Sequence, residues 1–383
     1  MTISYEDKSP GVHIEEISPA GPIAGAGTGA AALIGIPARQ VADAAIGKPV
    51  PVTSWTAYTD AFGGYADPGF LPHAVRGFFG NGGSVAYVVP VRNTAADLEA
   101  GLNQLTRFPD VSLVCLPGVV DPAVQLLVRD HCAALKDRFA VLDGAQDSAP
   151  LAPDSPLQAQ RGALVSADGA YAALYWPWLK VTNPTTGAAS PVLTVPPSGH
   201  IAGVIARTDS GRGVHKAPAN EPVRGALDLA YAVNDAEHGK LNQAGINAIR
   251  RFPGRAPLVW GARTLSDQAA WRYVNVRRLV SYIETSLLQG LRWAVFEPNN
   301  TALWKGLERS ITEFLTRVWQ SGALFGRTAG EAFYVKVDEE LNPPAVRALG
   351  QVVVEIGVAP TSPAEHVVVR LGLWADGARV NEG

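Results

Sequence analysis

Cysteine is nearly absent from this chain: two residues in 383, Cys115 and Cys132, with no CxxC spacing. Buried thiols are therefore expected, with a redox or zinc role as the weaker alternative. Both thiols lie in apolar runs, which suits burial in a reducing compartment. Long hydrophobic runs are missing as well. No stretch reaches the ~18 apolar residues that a membrane span requires, so no membrane insertion is expected. The first residues, MTISYEDKSPG, lack the charged-then-apolar order of a secretory signal, which predicts a chain that is cytoplasmic when made. Charge of one sign is also scarce. Lys and Arg number 32 against 35 Asp and Glu, for a net charge of −3, and this points to no nucleic-acid partner.

Catalytic signatures are missing too. There is no G-x-S-x-G elbow, no H-E-x-x-H, no Walker A sequence and no EF-hand loop. The seven histidines, at 13, 73, 131, 200, 215, 238 and 366, form no pair at ligand spacing on one helix face. No catalytic, cofactor-binding or metal residue is therefore assigned, no cofactor is expected, and the chain is read as a non-enzyme. Two glycine-rich segments come nearest to an exception. Gly25-Ala26-Gly27-Thr28-Gly29-Ala30 matches G-x-G-x-x-G/A, which would support an alternative reading as an α/β nucleotide-binding enzyme. That motif needs a strand before it and a helix after it. Here a proline-rich arm precedes it and a strand-like run, Leu33 to Pro37, follows, so a flexible lead into the first strand fits better. Gly211-Arg212-Gly213-Val214-His215-Lys216 lacks the Walker spacing and its Ser or Thr after lysine.

What the chain does have is enough apolar residues, 47%, for a sizeable core, and a length that divides into two or three domains. Residues 1–22 read as an arm: a turn at Ser9-Pro10-Gly11, a short extended run from Val12 to Ile17, then Ser18-Pro19-Ala20-Gly21-Pro22. It is either a frayed terminus or a strand for another sheet. From 55 to 165 apolar strands and helices alternate. Helices are expected at Leu71–Phe79, Ala95–Leu105, Pro122–Leu135 and Gln158–Val165. Strands are expected at Val85–Val91, Val111–Leu116 and Phe139–Asp143. The alternation predicts a largely parallel sheet covered on both faces. Asp143 stands at a strand's carboxyl end without a partner nearby in sequence, and a capping or turn role is expected. Residues 171–181 read as one broken strand, Pro191–Val195 as its return, and His200–Arg207 as a helix. Near the C-terminus, Phe333–Val337, Val352–Val358 and Val367–Leu373 alternate with period two, which predicts three strands.

The chain is organised around residues 271–326. Val276, Leu279, Val280, Ile283, Leu287 and Leu291 recur at helical spacing, and Glu297-Pro298-Asn299-Asn300 interrupts them. Leu303, Leu307, Ile311, Phe314, Leu315 and Val318 resume the period, which ends at Gly322 and Gly326. The pattern predicts a helical hairpin whose apolar faces need a cover, most simply a sheet.

These words carry a resemblance. Tyr273-Val274-Asn275-Val276-Arg277-Arg278-Leu279, Phe296-Glu297-Pro298-Asn299-Asn300 with Leu303-Trp304, and Gly322-Ala323-Leu324 are similar to the sheath proteins of contractile phage tails and related injection machines. So are Gly245 to Gly254, Trp260 to Thr264, Val354 to Pro360, and Ser9-Pro10-Gly11-Val12 with Glu15-Glu16. The resemblance implies a multi-domain α/β fold, with sandwich-like domains, mixed sheets and extended N- and C-terminal strand arms. It divides the chain into an arm over 1–22, an outer α/β domain over 23–244, an inner sheath domain over 245–360 and a second arm over 361–383. It implies a structural subunit that polymerises as stacked six-fold rings around an inner tube, then contracts to drive the tube through a target envelope. The partners implied are further copies of the chain, the tube protein, and baseplate and terminator or cap proteins. The particle would be a phage tail, a tailocin or an extracellular injection system, assembled in the cytoplasm.

Two sets of site residues follow. The inter-subunit arm strands are Val12, Ile14 and Ile17 at one end and Val367, Val369 and Leu371 at the other. The inner-tube contact candidates are Lys305, Glu308 and Arg309 on the second helix and the acidic run Asp338, Glu339 and Glu340. A solvated loop is the plainer reading of that acidic run.

Overall fold

The computed structural model describes residues 22–65, 69–92, 95–185 and 190–366. These residues divide into two compact units. Unit 1 takes residues up to Gly27 together with Val280–Ala359, and unit 2 takes Thr28–Leu279 and everything from Pro360 onward. The chain therefore passes between units three times, after Gly27, Leu279 and Ala359.

Unit 2 is built on nine strands: β1 (Ala30–Gly35), β2 (Val50–Val52), β3 (Ala86–Pro90), β4 (Val111–Cys115), β5 (Phe139–Asp143), β6 (Ala172–Trp176), β9 (Glu221–Pro222), β11 (Ile246–Arg250) and β12 (Leu258–Val259). Their order is β2-β3-β1-β4-β5-β6-β11-β12-β9. From β3 to β11 every pairing is parallel, and β2, β12 and β9 add antiparallel edges. Its helices are α1 (Trp55–Phe62), α2 (Leu71–Gly80), α3 (Ala95–Leu105), α4 (Pro122–Leu135), α5 (Pro156–Leu164), α6 (Ser198–Arg212) and α7 (Asp235–Gln243).

The central strands are buried on both faces, which is why they read as continuous apolar runs. Leu33, Leu113, Val141 and Tyr175 pack on one face with Val75 and Phe78 of α2 and Ile201, Val204 and Ile205 of α6. Ile34, Val114, Leu142 and Trp176 pack on the other with Leu102, Val128, Leu157 and Leu241 from α3, α4, α5 and α7. Cys115 and Cys132 lie one in each cluster as free, fully buried thiols, and burial pushes both thiol pKa values up.

Residues 171–181 are not one strand. The chain turns at the cis Trp176–Pro177 peptide, and β7 (Leu179–Thr182) leaves the large sheet. It joins an antiparallel sheet of order β10-β7-β8 with β8 (Val192–Val195) and β10 (Ala226–Leu229). The helix expected at His200–Arg207 runs longer, from Ser198 to Arg212. It is buried nearly all round over its first nine residues, so it carries no amphipathic period from which its ends could be read. Gly199 and Gly203 let it press on α2: an added Cβ would lie 2.4 Å from the Ala74 Cα and 2.4 Å from the Phe78 carbonyl oxygen.

Helix α8 (Val274–Gly290) begins in unit 2 and continues in unit 1, where α9 (Thr301–Gln320) follows it. Asn300 caps α9 by accepting from the Leu303 N–H at 3.1 Å, where the sequence places the break. The α9 face made of Leu303, Trp304, Leu307, Ile311, Phe314, Leu315 and Val318 is buried. Its sheet cover is small, an antiparallel pair of β13 (Phe333–Lys336) and β14 (Glu355–Val358).

The strand expected from Val352 begins only at Glu355, because Asn342 takes over the pairing upstream. Its buried side-chain amide donates to the Val353 carbonyl at 2.9 Å and accepts from the Val353 N–H at 2.7 Å. Val354 and Ile356 of the expected strand and Leu287 of the first helical period are only half-buried. The third expected strand, Val367–Leu373, lies outside the described residues, as does the arm 1–21.

Candidate functional site

At the carboxyl ends of the parallel strands, where α/β enzymes place their chemistry, Asp143 proves to be a structural acceptor. It is fully buried and takes hydrogen bonds from the Gly118 N–H (2.9 Å), the Ser198 N–H (2.7 Å) and the Ser198 hydroxyl (2.7 Å). It thereby closes the N-terminus of α6, the capping role expected of it. Burial pushes its pKa up to about 6, partly opposed by those three bonds. Gln125 and Gln160 donate to its backbone carbonyl, at 2.9 Å each. Among the described residues no group of three His, Cys, Asp or Glu side chains could hold a metal ion. No helix among them is long and apolar enough to cross a membrane.

The two glycine-rich segments have other duties. Residues 22–29 carry no regular structure and lead straight into β1, so Gly25–Ala30 lacks both the strand before it and the helix after it that a dinucleotide fold requires. Lys216 is spent on its own loop, donating to the carbonyls of Ala217 at 2.6 Å and Ala219 at 2.8 Å.

Within unit 2, the start of α8 carries a cluster of polar ties. Arg278 and Asp209 form a bidentate ion pair at 2.9 and 2.6 Å, with side chains 5% and 4% exposed, and Arg278 also donates to the Thr28 carbonyl at 2.8 Å. Arg277 lies over the rings of Trp271 (4.3 Å) and Tyr171 (4.7 Å). Asn275 donates to the carbonyls of His215 at 2.8 Å and Thr361 at 3.1 Å. Glu365 accepts from Arg263 through Nε at 2.9 Å and Nη2, from Asn242 at 3.3 Å and from the Tyr273 hydroxyl at 3.3 Å. The Arg263 guanidinium holds the Glu365 carboxyl below the usual carboxylate range. A cavity of about 740 Å³ opens beside this cluster, lined among others by His215, His238, Trp260, Tyr273 and His366. The Tyr273–Leu279 word and the stretch from Asp209 of α6 to His215, far apart in sequence, are thus direct partners. Nothing in the linear pattern of either announces the other.

Unit 1 carries the tube-contact candidates. Lys305 and Glu308 pair with each other at 2.7 Å on an exposed face of α9, and Arg309 beside them is exposed. In the acidic run, Asp338 accepts from the Leu341 N–H at 3.0 Å, Glu340 pairs with Lys336, and Glu339 is exposed. Asp338 is therefore a turn former as well as a charge. The arm residues Val12, Ile14, Ile17, Val367, Val369 and Leu371 lie outside the described residues.

A feature the sequence reading missed is the apolar surface of unit 1. Leu288, Val295, Phe296, Phe325, Tyr334, Leu349 and Val353 are all exposed there, the Phe296 ring completely so on a backbone with φ of +70°. A bulky residue in that left-handed region is a backbone outlier. The only sequence signal for it was the turn at Glu297-Pro298.

The exposed apolar groups gathered in one unit mark a surface suited to meeting a partner. Two descriptions, phage tail sheath protein central domain and phage tail sheath C-terminal domain, match residues 92–265 and 266–373. The chain belongs to the phage tail sheath protein family.

The sheath complex of an extracellular contractile injection system, PVC, in its contracted state matches over 98% of this chain and 99% of that one, at 30% identity and a TM-score of 0.78. A chain of the anti-feeding prophage (AFP) baseplate matches over 96% and 99%, at 31% identity and a TM-score of 0.76. A putative prophage major tail sheath protein of Pseudomonas aeruginosa (strain UCBPP-PA14) is 26% identical over 278 residues, 70% of this chain and 67% of that protein. Two phage tail sheath proteins are longer, and the match spans 26% of each. The protein is a contractile tail sheath subunit of a phage or phage-like injection system.

Proposed function

We propose that this chain polymerises head to tail as stacked six-fold rings around an inner tube and, on contraction, drives the tube through a target envelope. The observation that carries the reading is the end-to-end correspondence with a contractile sheath subunit, 98% of this chain against 99% of that one. Head-to-tail contacts that do not close produce an open filament. Release would run from a kinetically trapped extended form to one that buries more surface between subunits, without nucleotide or metal.

The arms 1–22 and 361–383 serve as exchange strands through Val12, Ile14, Ile17, Val367, Val369 and Leu371. Their docking place is the β13–β14 pair, since two strands alone are marginally stable and open edges invite pairing. We take unit 2 as the outer domain, expected over 23–244, and Val280–Ala359 of unit 1 as the inner one, expected over 245–360, because β11 and β12 belong to the sheet of unit 2. The inner domain meets the tube through Lys305, Glu308 and Arg309 or through Asp338, Glu339 and Glu340. Baseplate and terminator proteins cap the polymer, assembly takes place in the cytoplasm, and the subunit turns over no substrate. Electron microscopy of the chain co-expressed with its tube protein tests this reading. Long sheathed tubes that shorten and widen on triggering are expected, and a chain that remains a dispersed monomer would refute it.

A further inference from the structure

Described residues at the two ends of the chain are fastened to different units. Toward the N-terminus, Ile23 is 3% exposed, its carbonyl accepts from Arg317 of α9 at 2.7 Å, and the Ala26 N–H donates to the Ser286 hydroxyl of α8 at 2.9 Å. All four residues belong to unit 1. Toward the C-terminus, the chain leaves β14 in unit 1 at Ala359 and joins unit 2 at Pro360. There Asn275 holds the Thr361 carbonyl, and Glu365 sits in a four-bond socket made by Arg263, Asn242 and Tyr273. The socket is itself rigid. Buried Asn247 accepts from the Arg263 N–H at 2.6 Å and donates to its carbonyl at 2.7 Å, and Arg263 Nη1 donates to the Asn242 carbonyl at 2.9 Å. A proline-bounded linker such as Pro360–Pro363 reads in sequence as the place where a terminal segment swings. In the fold it is bonded on both sides.

We propose that Glu365, with Arg263 and Asn275, is a positioning device that roots the C-terminal segment on unit 2, while Arg317 and Ser286 root the N-terminal segment on unit 1. The two terminal segments then report the positions of different units to whatever they bind. The C-terminal one departs after Glu365 rather than turning at Pro360–Pro363. This rests on the sheath reading above, because only in a polymer does the departure point of a terminal segment decide whether it reaches a neighbour. A carboxylate is well suited to rooting a segment, because a bidentate arginine fixes direction as well as distance, which a single neutral hydrogen bond does not.

The test uses the full chain and three variants, Glu365→Ala, Glu365→Gln and Arg317→Ala. Digestion of the isolated protein with proteinase K reads how firmly residues 361–366 and 22–27 are held. Electron microscopy reads sheath length after co-expression with the tube protein. Glu365→Ala is expected to speed cleavage within 361–366 about tenfold or more, leave 22–27 unchanged, keep the thermal midpoint within a few degrees, and shorten or abolish sheaths. Glu365→Gln, which keeps the shape and an acceptor, should fall between. Arg317→Ala should show the reverse pattern of cleavage. Wild-type cleavage within 361–366 in Glu365→Ala, or sheaths of wild-type length despite fast cleavage there, would overturn the proposal. A wild-type chain that forms no sheaths refutes the sheath reading itself, and the cleavage data then still decide whether the socket holds the segment.

Discussion

Asp143 shows how a single side chain can be legible in type and illegible in partners. Its place at a strand end, before glycine, predicts a cap. Its donors lie 25 and 55 residues away, and only the folded sheet brings them together. Replacing it with alanine leaves the Gly118 and Ser198 N–H groups buried without acceptors, and a loss of about 2 kcal/mol or more is expected in denaturant unfolding. Its titration has a definite sign. The folded chain holds this proton more tightly than the unfolded chain, whose ordinary value is near 3.8. This group's contribution is therefore fully present below 3.8 and is lost as pH rises through about 6. Asp143→Asn should flatten that part of the stability profile between pH 4 and 6.5, as measured by calorimetry. The Arg278–Asp209 pair behaves differently, because removing one partner strands a buried charge. Arg278→Ala is expected to cost about 3–5 kcal/mol, far more than an exposed pair such as Lys305–Glu308.

At the level of elements, legibility follows exposure. Helices α3 and α4 and strand β5 match their expected bounds residue for residue. Proline and aspartate caps, amphipathic faces and apolar strand runs are local signals, so they survive without the fold. Helix α6 lost its ends because its burial is set by α2 and the sheet. Gly199→Ala, which would drive a methyl into the Ala74 backbone, should destabilise by about 1–3 kcal/mol in thermal or chemical unfolding. The Asn300 cap is the opposite case, a local feature with a local effect. Asn300→Ala should cost about 1 kcal/mol and raise hydrogen exchange in the first turn of α9 without altering the rest.

For the whole molecule, the expectations concern assembly. A chain lacking Met1–Ala20 should fold with an unchanged far-UV spectrum and fail to form long sheaths, since the segment removed lies before the Ile23 root. Normal sheaths from that truncation would rule out arm exchange at this end. Charge reversal at Lys305 and Arg309 should leave the thermal midpoint within a degree or two, since exposed pairs contribute only about 0–1 kcal/mol. If α9 faces the tube, co-purification of tube with sheath should fall sharply, because a weak contact is repeated along the polymer. Unchanged co-purification would remove this face and leave the Asp338–Glu340 turn as the remaining candidate.

Local pattern was enough to determine the alternation of strands and helices, the two-faced burial of the central sheet, the break at Asn300 and the ordered words that place the chain in its family. Each depends on neighbours a few residues apart, so the sequence carries them on its own. Tertiary structure alone decided that Trp176 and Leu179 enter different sheets, that Asn342 replaces a strand partner, and that Arg278 meets Asp209. It alone decided that Pro360–Glu365 is bonded down on unit 2. Apart from the split between Trp176 and Leu179, these are contacts between single polar groups 11 to 123 residues apart. A hydrogen bond leaves no periodicity in the chain, and its partner is chosen by where the packed core delivers it.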